Sequence, residues 1–320
     1  MNLKDLAAEL KDYEGVRRKA GIGSVVEALG LGKKRGRDTF FFDDAAVVEL
    51  GGMTILFACD SITEGLVNLD PYFAGYSAVL VNLNDIAAMG GKAIAVVDVL
   101  SAKDLSTARK IARGVGDASL KFGVPVVGGH FNPNSTYNGI EVSILGKAEG
   151  SRLIKGTGAR PGEAIIAAVD LDGRFHPGYP FAWDCTSKKT PAQARGNLQL
   201  LIKLAELGAV RSGRDISNPG LIGTIGMLLE GSGAGGRVEL EKIPLPSGVE
   251  ISTWLKAYPG FGFVFTAEES KIDGIERLFR GRGIAAASIG KVITSRKLLI
   301  SWRGRDEEVF DFEKEGITGV

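Results

Sequence analysis

Five aspartates stand where carboxylates can do chemistry. Asp43 and Asp44 open a β-rich run within FFFDDAAVVEL. Asp60 closes the next run, TILFACD, and is followed by Ser61 and Glu64. Asp85 lies in NLNDIAAMGG, and Asp215 begins DISNPGLIGTIGMLLEG just ahead of a helical pattern. Carboxylates arriving from separate strand and helix ends suit Mg²⁺ bridging a polyphosphate, which needs a few hard oxygen ligands with room for water and phosphate oxygens. The competing reading makes each a cap or turn residue, and spacing alone does not choose. A second feature is Val127-Gly128-Gly129-His130, where a strand running into Gly-Gly exposes backbone N–H groups that can cradle an anion. A plain tight turn is the alternative there, and His130 is either a locally hydrogen-bonded loop histidine or a neighbour of the phosphates or metal. The segment from Gly15 to Thr39, rich in Gly, Arg and Lys, is either a solvated loop or a flap that closes over anions; Lys19, Arg18 or Lys33 would then supply the cation.

The element that must position Asp85 is the best marked in the chain. Asp70 can cap a helix, Pro71 suits its first position, and Gly90-Gly91 can stop it, which predicts a helix over 71–89. Tyr72, Tyr76, Val79, Leu80, Leu83 and Ile86 form its apolar side, while Ala78, Asn82, Asp85 and Met89 form a second line with an amide and a carboxylate among small or apolar neighbours. Around it the pattern predicts a helix over 2–11, a hairpin through Gly51-Gly52, a strand over 93–100 and a helix over 104–122. Two short strands, VPVVGG and GIEVSILGKA, are expected to flank a loop from His130 to Asn138.

A boundary is expected near 148–162, giving domains 1–150 and 151–320. The second half reads as a buried strand (164–170), a long polar loop (171–189) holding His176 and Cys185, helices over 191–208 and 219–230, then strands and helices to KLLISW. Strands mixed with helices in both halves predict an α+β or α/β protein.

Composition narrows the function classes. The chain has 320 residues, 44% apolar and 24% charged, with formal net charge +1. That balance gives no electrostatic reason for nucleic acid or a membrane surface as partner. No apolar run is long enough to span a bilayer, and the opening MNLKDLAAELKDYEGVRRKA is an amphipathic helix rather than a leader, so a cytoplasmic location is expected. Cys59, inside an apolar strand, reads as a packed core thiol. Gly231 to Gly236 fits GxGxxG but follows a helix and precedes a strand, the reverse of the dinucleotide-binding context, and no GxxxxGK[ST] exists.

Taken together and in order, DDAAVV, the Asp60-Ser61 strand end, NLNDIAAMGG, VVGGH and DISNPGLIG resemble the superfamily of aminoimidazole ribonucleotide synthetase, which also holds selenophosphate synthetase, thiamine-monophosphate kinase and a hydrogenase maturation factor. A narrower likeness, carried by DPYFAGYSAVLVNLNDIAAMGG, FGVPVVGGH, DLDGRFHP and YPGFGFVFT, is to the branch called methanogenesis marker protein 2. The resemblance covers nearly the whole chain. It implies an N-terminal domain whose strands join a β-barrel shared across a homodimer, a C-terminal α+β domain, and ATP with Mg²⁺ in the cleft between them. Position by position, it implies Asp43, Asp44, Asp60, Asp85 and Asp215 as metal ligands. Asp44, Asn82, Gly128, Gly129, His130 and Ser217 would meet the nucleotide, and Asp60, Asp85 and Lys19 would serve catalysis.

Departures from the known branches are specific. Phe42 replaces a usual glycine, His130 stands where the kinase has aspartate, and Val67 replaces a substrate-side histidine. Tyr258-Pro259-Gly260-Phe261-Gly262 replaces the kinase's Gly-Glu-Asp-Tyr-Glu, and no reactive cysteine precedes the first strand. The implied activity is a Mg²⁺-dependent, ATP-using ligase or kinase that acts through the γ-phosphoryl group on an unidentified small-molecule acceptor. The alternative is a non-catalytic nucleotide-binding factor in assembling a methanogenesis cofactor or enzyme.

Overall fold

The structure is a computed structural model that describes residues 2–30, 43–148 and 152–319. Lys33 and Phe42, and most of the expected basic flap, lie outside the described residues. The chain opens with α1 (Leu3–Lys11), α2 (Glu14–Arg17) and α3 (Ile22–Ala28). The first sheet comprises β1 (Ala46–Leu50), β2 (Met53–Ser61), β3 (Gly91–Ser101), β4 (Val126–Asn132) and β5 (Gly139–Ala148), in the order β1-β2-β5-β3-β4. Between its strands run α4 (Glu64–Leu69), α5 (Pro71–Ala88) and α6 (Leu105–Phe122). Only β3 and β4 pair in parallel, across the α6 connection.

Local chemistry explains α5. The Asp70 carboxylate accepts from the Phe73 N–H at 2.9 Å, Pro71 takes the first turn, and Gly90 ends the helix at φ 73°. Its packing depends on glycine too. A β-carbon at Gly75 would overlap the Ile111 carbonyl oxygen, and one at Gly114 would overlap that of Tyr72, so α5 and α6 cross with backbones in contact. The expected apolar side is buried with one exception. Tyr72 is 38% exposed, because its hydroxyl reaches out to Asp117 at 2.9 Å.

The second half contributes β6 (Ala164–Val169), β7 (Arg174–Phe175), β8 (Ala182–Asp184), α7 (Pro191–Leu207), β9 (Ser212–Asp215), α8 (Gly220–Ser232), β10 (Gly235–Glu239) and α9 (Ile251–Trp254). It continues with β11 (Tyr258–Pro259), β12 (Gly262–Ala267), α10 (Ile272–Arg280), β13 (Ala285–Ile293), β14 (Lys297–Trp302) and β15 (Arg305–Asp311). Seven strands form one sheet in the order β15-β14-β10-β13-β6-β12-β9, and β11-β8-β7 form a small second one. Every residue of β6 and β12 is buried. Leu6, Ala7 and Leu10 of α1 belong to this core, so the first helix packs with the last strands.

Two expectations need correction here. The sequence places a loop over 130–138, but β4 runs through Asn132, because pairing with β3 continues to Ser101. The expected polar loop 171–189 contains β7 and β8, a hairpin completed by β11 from far along the chain.

Candidate functional site

The aspartates reach a common region from separate elements. Asp60 stands at the end of β2, Asp85 on α5, Asp215 at the end of β9, and Asp44 in the bend before β1. Burial raises the Asp85 carboxyl well above the usual range, and the negative charges of Asp215, Asp44 and Asp60 push the same way. Asp215 is raised well above it too, by burial and then by Asp44, with Asp60 adding to the effect. Asp43, Asp44 and Asp60 are raised chiefly by burial. Burial first, and like charge second, disfavour the ionised form of these carboxylates, so a cation beside them is favourable.

Part of that cluster is compensated by protein. An Arg214 Nη lies 2.7 Å from Asp44 Oδ1, and the Asp215 N–H donates to Asp44 Oδ2 at 3.2 Å. Asp43 accepts from the Gly156 N–H at 2.6 Å through one oxygen, while its other oxygen is buried without a partner. The Asp43-Asp44 pair therefore ties the start of the first sheet to β9 and the segment before β6.

Lys19 faces the same carboxylates. Burial lowers its pKa, opposed by Asp60 and Asp215. Its place is fixed by the helix before it: a β-carbon at Gly15 would overlap the Asn218 carbonyl oxygen, and Val16 is buried against Gly223 of α8. The turn that carries Lys19 is thus seated on the loop after Asp215.

Asp60 and Asp215, but not Asp43, Asp44, Asp85 or Lys19, line a cleft enclosing about 830 Å³ of empty space, open mouth included. Its lining includes Asp60, Ser61, Asp215 and Ser217, with Phe73, Ser77 and Asn84 of α5. Tyr179, Trp183 and Tyr258 close it from the small sheet. His176 helps hold that sheet over the first half: Nε2 lies 3.2 Å from Asp70 Oδ2, and its ring stacks on Phe73 at 4.5 Å.

Other expected site residues lie elsewhere. Gly128 and Gly129 are extended positions of β4, paired with Val97 and Asp98, because strand pairing overrides the turn that two glycines suggest. His130 hydrogen-bonds Asn132 Oδ1 at 2.9 Å, the local arrangement, and none of the three lines the cleft. Asn82 is fully buried and donates to its own helix at the Ala78 carbonyl, 2.9 Å away. The cleft is lined by two amides, Asn218 and Asn84, and sequence reading missed Asn84. Its spacing of seven from Ser77 and four from Leu80 was the available signal. Cys59 is exposed, contrary to expectation: Leu56 and Ala58 point to the helices, so Cys59, like Phe57, points the other way. Cys185 is buried, with its thiol pushed up by burial.

The residues fit a metal held jointly with a ligand. Among the described residues, no three Asp, Glu, His or Cys side chains form a ready metal cage. The orphaned oxygen of Asp43 and the mutually repelling Asp85 and Asp215 fit Mg²⁺, which commonly binds through one or two carboxylates together with phosphate oxygens.

Two mixed sheets joined across a carboxylate-rich cleft define a class of two-domain α+β protein. The chain belongs to the AIR synthase related family: residues 42–148 match its N-terminal domain and residues 179–303 its C-terminal domain. An uncharacterized protein of Methanocaldococcus jannaschii is 42% identical over 100% of both chains. Thermotoga maritima PurL complexed with ATP superposes with TM-score 0.73 at 19% identity, covering 88% of this chain and 47% of that one. This chain therefore spans about half of that protein. AaThiL complexed with AMPPCP and TMP superposes with TM-score 0.67 at 21% identity, covering 90% and 95%. At such identities the likeness is one of fold, and the fold is a two-domain AIR synthase-like one. No helix among the described residues is long and apolar enough to cross a membrane.

Proposed function

We propose that the chain is a Mg²⁺-dependent, ATP-using enzyme that transfers or releases the γ-phosphoryl group to activate a small-molecule acceptor. One observation carries this: Asp44, Asp60, Asp85 and Asp215 act on one another electrostatically, with Lys19 opposed, beside a cleft between the halves. Residues 1–150 supply Asp43, Asp44, Asp60, Asp85 and Lys19; residues 151–320 supply Asp215, Ser217 and the aromatic wall.

Asp43, Asp60, Asp85 and Asp215 would hold the metal, and Asp44, pinned by Arg214, positions Asp215. When bound, Mg²⁺ supplies charge neutralisation at the phosphates. Lys19 brings a cation to the same charge, and catalysis by these residues is mainly orientation and electrostatic stabilisation. Gly128, Gly129 and His130 then serve the nucleotide only by way of a second copy of the chain, since they are exposed on β4, the edge strand of the first sheet. That edge supports a homodimer.

The test is Asp85→Asn. We expect Mg-AMPPCP binding to weaken at least tenfold while the oligomeric state is kept; unchanged affinity refutes the reading. With ATP and cell extract, stoichiometric ADP and a new product support an enzyme, and AMP with phosphate points to a different cleavage. Saturable binding without product supports a non-catalytic assembly factor instead.

A further inference from the structure

The wall of the cleft mixes carboxylates with hydroxyl and amide side chains, among them Ser61, Thr63, Ser217 and Asn218. Asp60, Asp184 and Asp215 bring three carboxylates to it, and among the described residues no Lys, Arg or His lines it. The nearest cations act on those carboxylates: Lys19 and Arg18 on Asp60, Arg214 and Lys19 on Asp215, and Lys121 on Asp184. Asp184 is held in place by the N–H groups of Thr186 at 3.2 Å and Ser187 at 2.9 Å.

Asn84 adds a further acceptor, and its orientation is fixed. Its Nδ2 donates to the Gly260 carbonyl at 3.1 Å, and a carbonyl cannot donate in return, so Oδ1 must be the other atom. The residue is 3% exposed and that Oδ1 is buried without a partner. A buried acceptor left unpaired is costly, which leaves an opening for a ligand's donor.

Four aromatic side chains also line the wall: Phe73, Tyr179, Trp183 and Tyr258. Two of these rings are pinned. Tyr179 shares a hydrogen bond with Thr63 at 2.5 Å, and Trp183 Nε1 donates to the Asp170 carbonyl at 3.0 Å. A phosphate is held most tightly by a guanidinium, an ammonium or free helix N–H groups. The leading N–H groups of α8, at Gly220 and Leu221, are already taken by the carbonyls of Ser217 and Leu255.

We propose that the acceptor bound in this cleft is a ring compound bearing hydrogen-bond donors, uncharged or cationic, with no phosphate or carboxylate of its own. The proposal rests on the reading of the carboxylate end as the Mg-nucleotide site. Magnesium bound there would neutralise Asp60 and Asp215; the described lining still offers an acceptor's own anionic group no ammonium or guanidinium, while Asn84 and the rings select a donor on a flat frame.

Three matched probes test it on the full chain: tyramine, 4-hydroxybenzyl alcohol and phenyl phosphate. Each is titrated by calorimetry and saturation-transfer NMR, with and without Mg-AMPPCP. Tyramine and the alcohol are expected to bind with dissociation constants on the order of 1 mM, and phenyl phosphate at least tenfold more weakly. Asn84→Ala is expected to weaken tyramine about tenfold. Equal or tighter binding of phenyl phosphate overturns the proposal without needing any variant, as does silence from all three probes. So does wild-type affinity for tyramine in Asn84→Ala, or displacement of tyramine by AMPPCP, which would make the aromatic recess the nucleotide's own. Mg-AMPPCP affinity, measured on the same sample, reports separately whether the underlying nucleotide reading has failed.

Discussion

The two large sheets solve the same problem differently. In the seven-stranded sheet, every residue of β6 and β12 is buried, with Phe263, Phe265 and Phe279 among the largest enclosed side chains. Helices α1, α8 and α10 all pack on it. The five-stranded sheet has α5 on one side, over β2, β3 and β5. Its other side presents Phe57, Val97, Val99 and Leu145 to solvent, with Cys59 among them. An apolar sheet face of that extent marks an interaction surface rather than a solvated one. One half completes its own core; the other has a face suited to a partner.

The sharpest way to break that comparison is to truncate one aromatic residue on each sheet. Phe265→Ala removes a ring stacked between Phe263 and Phe279 and should cost about 3–5 kcal/mol in urea unfolding. Phe57→Ala, on the open face, should cost a dilute monomer less than about 1 kcal/mol. Similar losses at both positions would mean that the two sheets are equally covered.

Charge on the open face tests the same contrast through association. If this face joins two copies, Phe57→Asp should raise the dimer dissociation constant roughly 30-fold, about 2 kcal/mol, in sedimentation equilibrium. The same substitution should leave the far-ultraviolet circular dichroism unchanged. A dimer of unaltered strength would place the interface elsewhere.

The open face also shows what sequence could and could not supply. Helix α5 was readable because its signals are local: Asp70, Pro71 and Gly90 each act within a turn of where they stand. The side on which Cys59 lies was not readable, since both alternating sets of β2 are apolar and the helices that cover one set come from later in the chain. Strand β15 was missed because RDEEVFD is mostly charged, yet it pairs with β14 and packs under α1. Gly128-Gly129 was read as a turn or anion cradle on residue type, but the ladder to β3 decides its conformation. Residue type and order left open whether Asp60, Asp85 and Asp215 meet, and only the family resemblance implied it; which asparagine of NLND reaches the cleft depended on how α5 is rolled against its neighbours.

Because the carboxylates come from both halves, ligand at the cleft should stabilise the whole chain. Mg-AMPPCP at 100 times its dissociation constant should add about 2.7 kcal/mol, seen as a rise of several degrees in thermal midpoint. AMPPCP with excess EDTA should add much less. The same gain without metal would remove the role assigned to Asp60, Asp85 and Asp215.

The smallest expected effect concerns the seam between the halves. His176, from the small sheet, meets the Asp70 carboxylate that caps α5 and stacks on Phe73, which also lines the cleft. His176→Ala removes a part-buried hydrogen bond and a ring contact, and should cost about 1–2 kcal/mol of stability. Its more telling consequence is directional. The small sheet is also held by Tyr179 on Thr63, so the cleft should survive, but with its aromatic wall less firmly placed. Hydrogen exchange in the variant should therefore rise in residues 174–184 and at the start of α5, and stay unchanged in β6 and β12. Exchange that rises equally in both sheets would mean that the seam is part of one cooperative core, and the contrast between a closed and an open half would lose its energetic meaning.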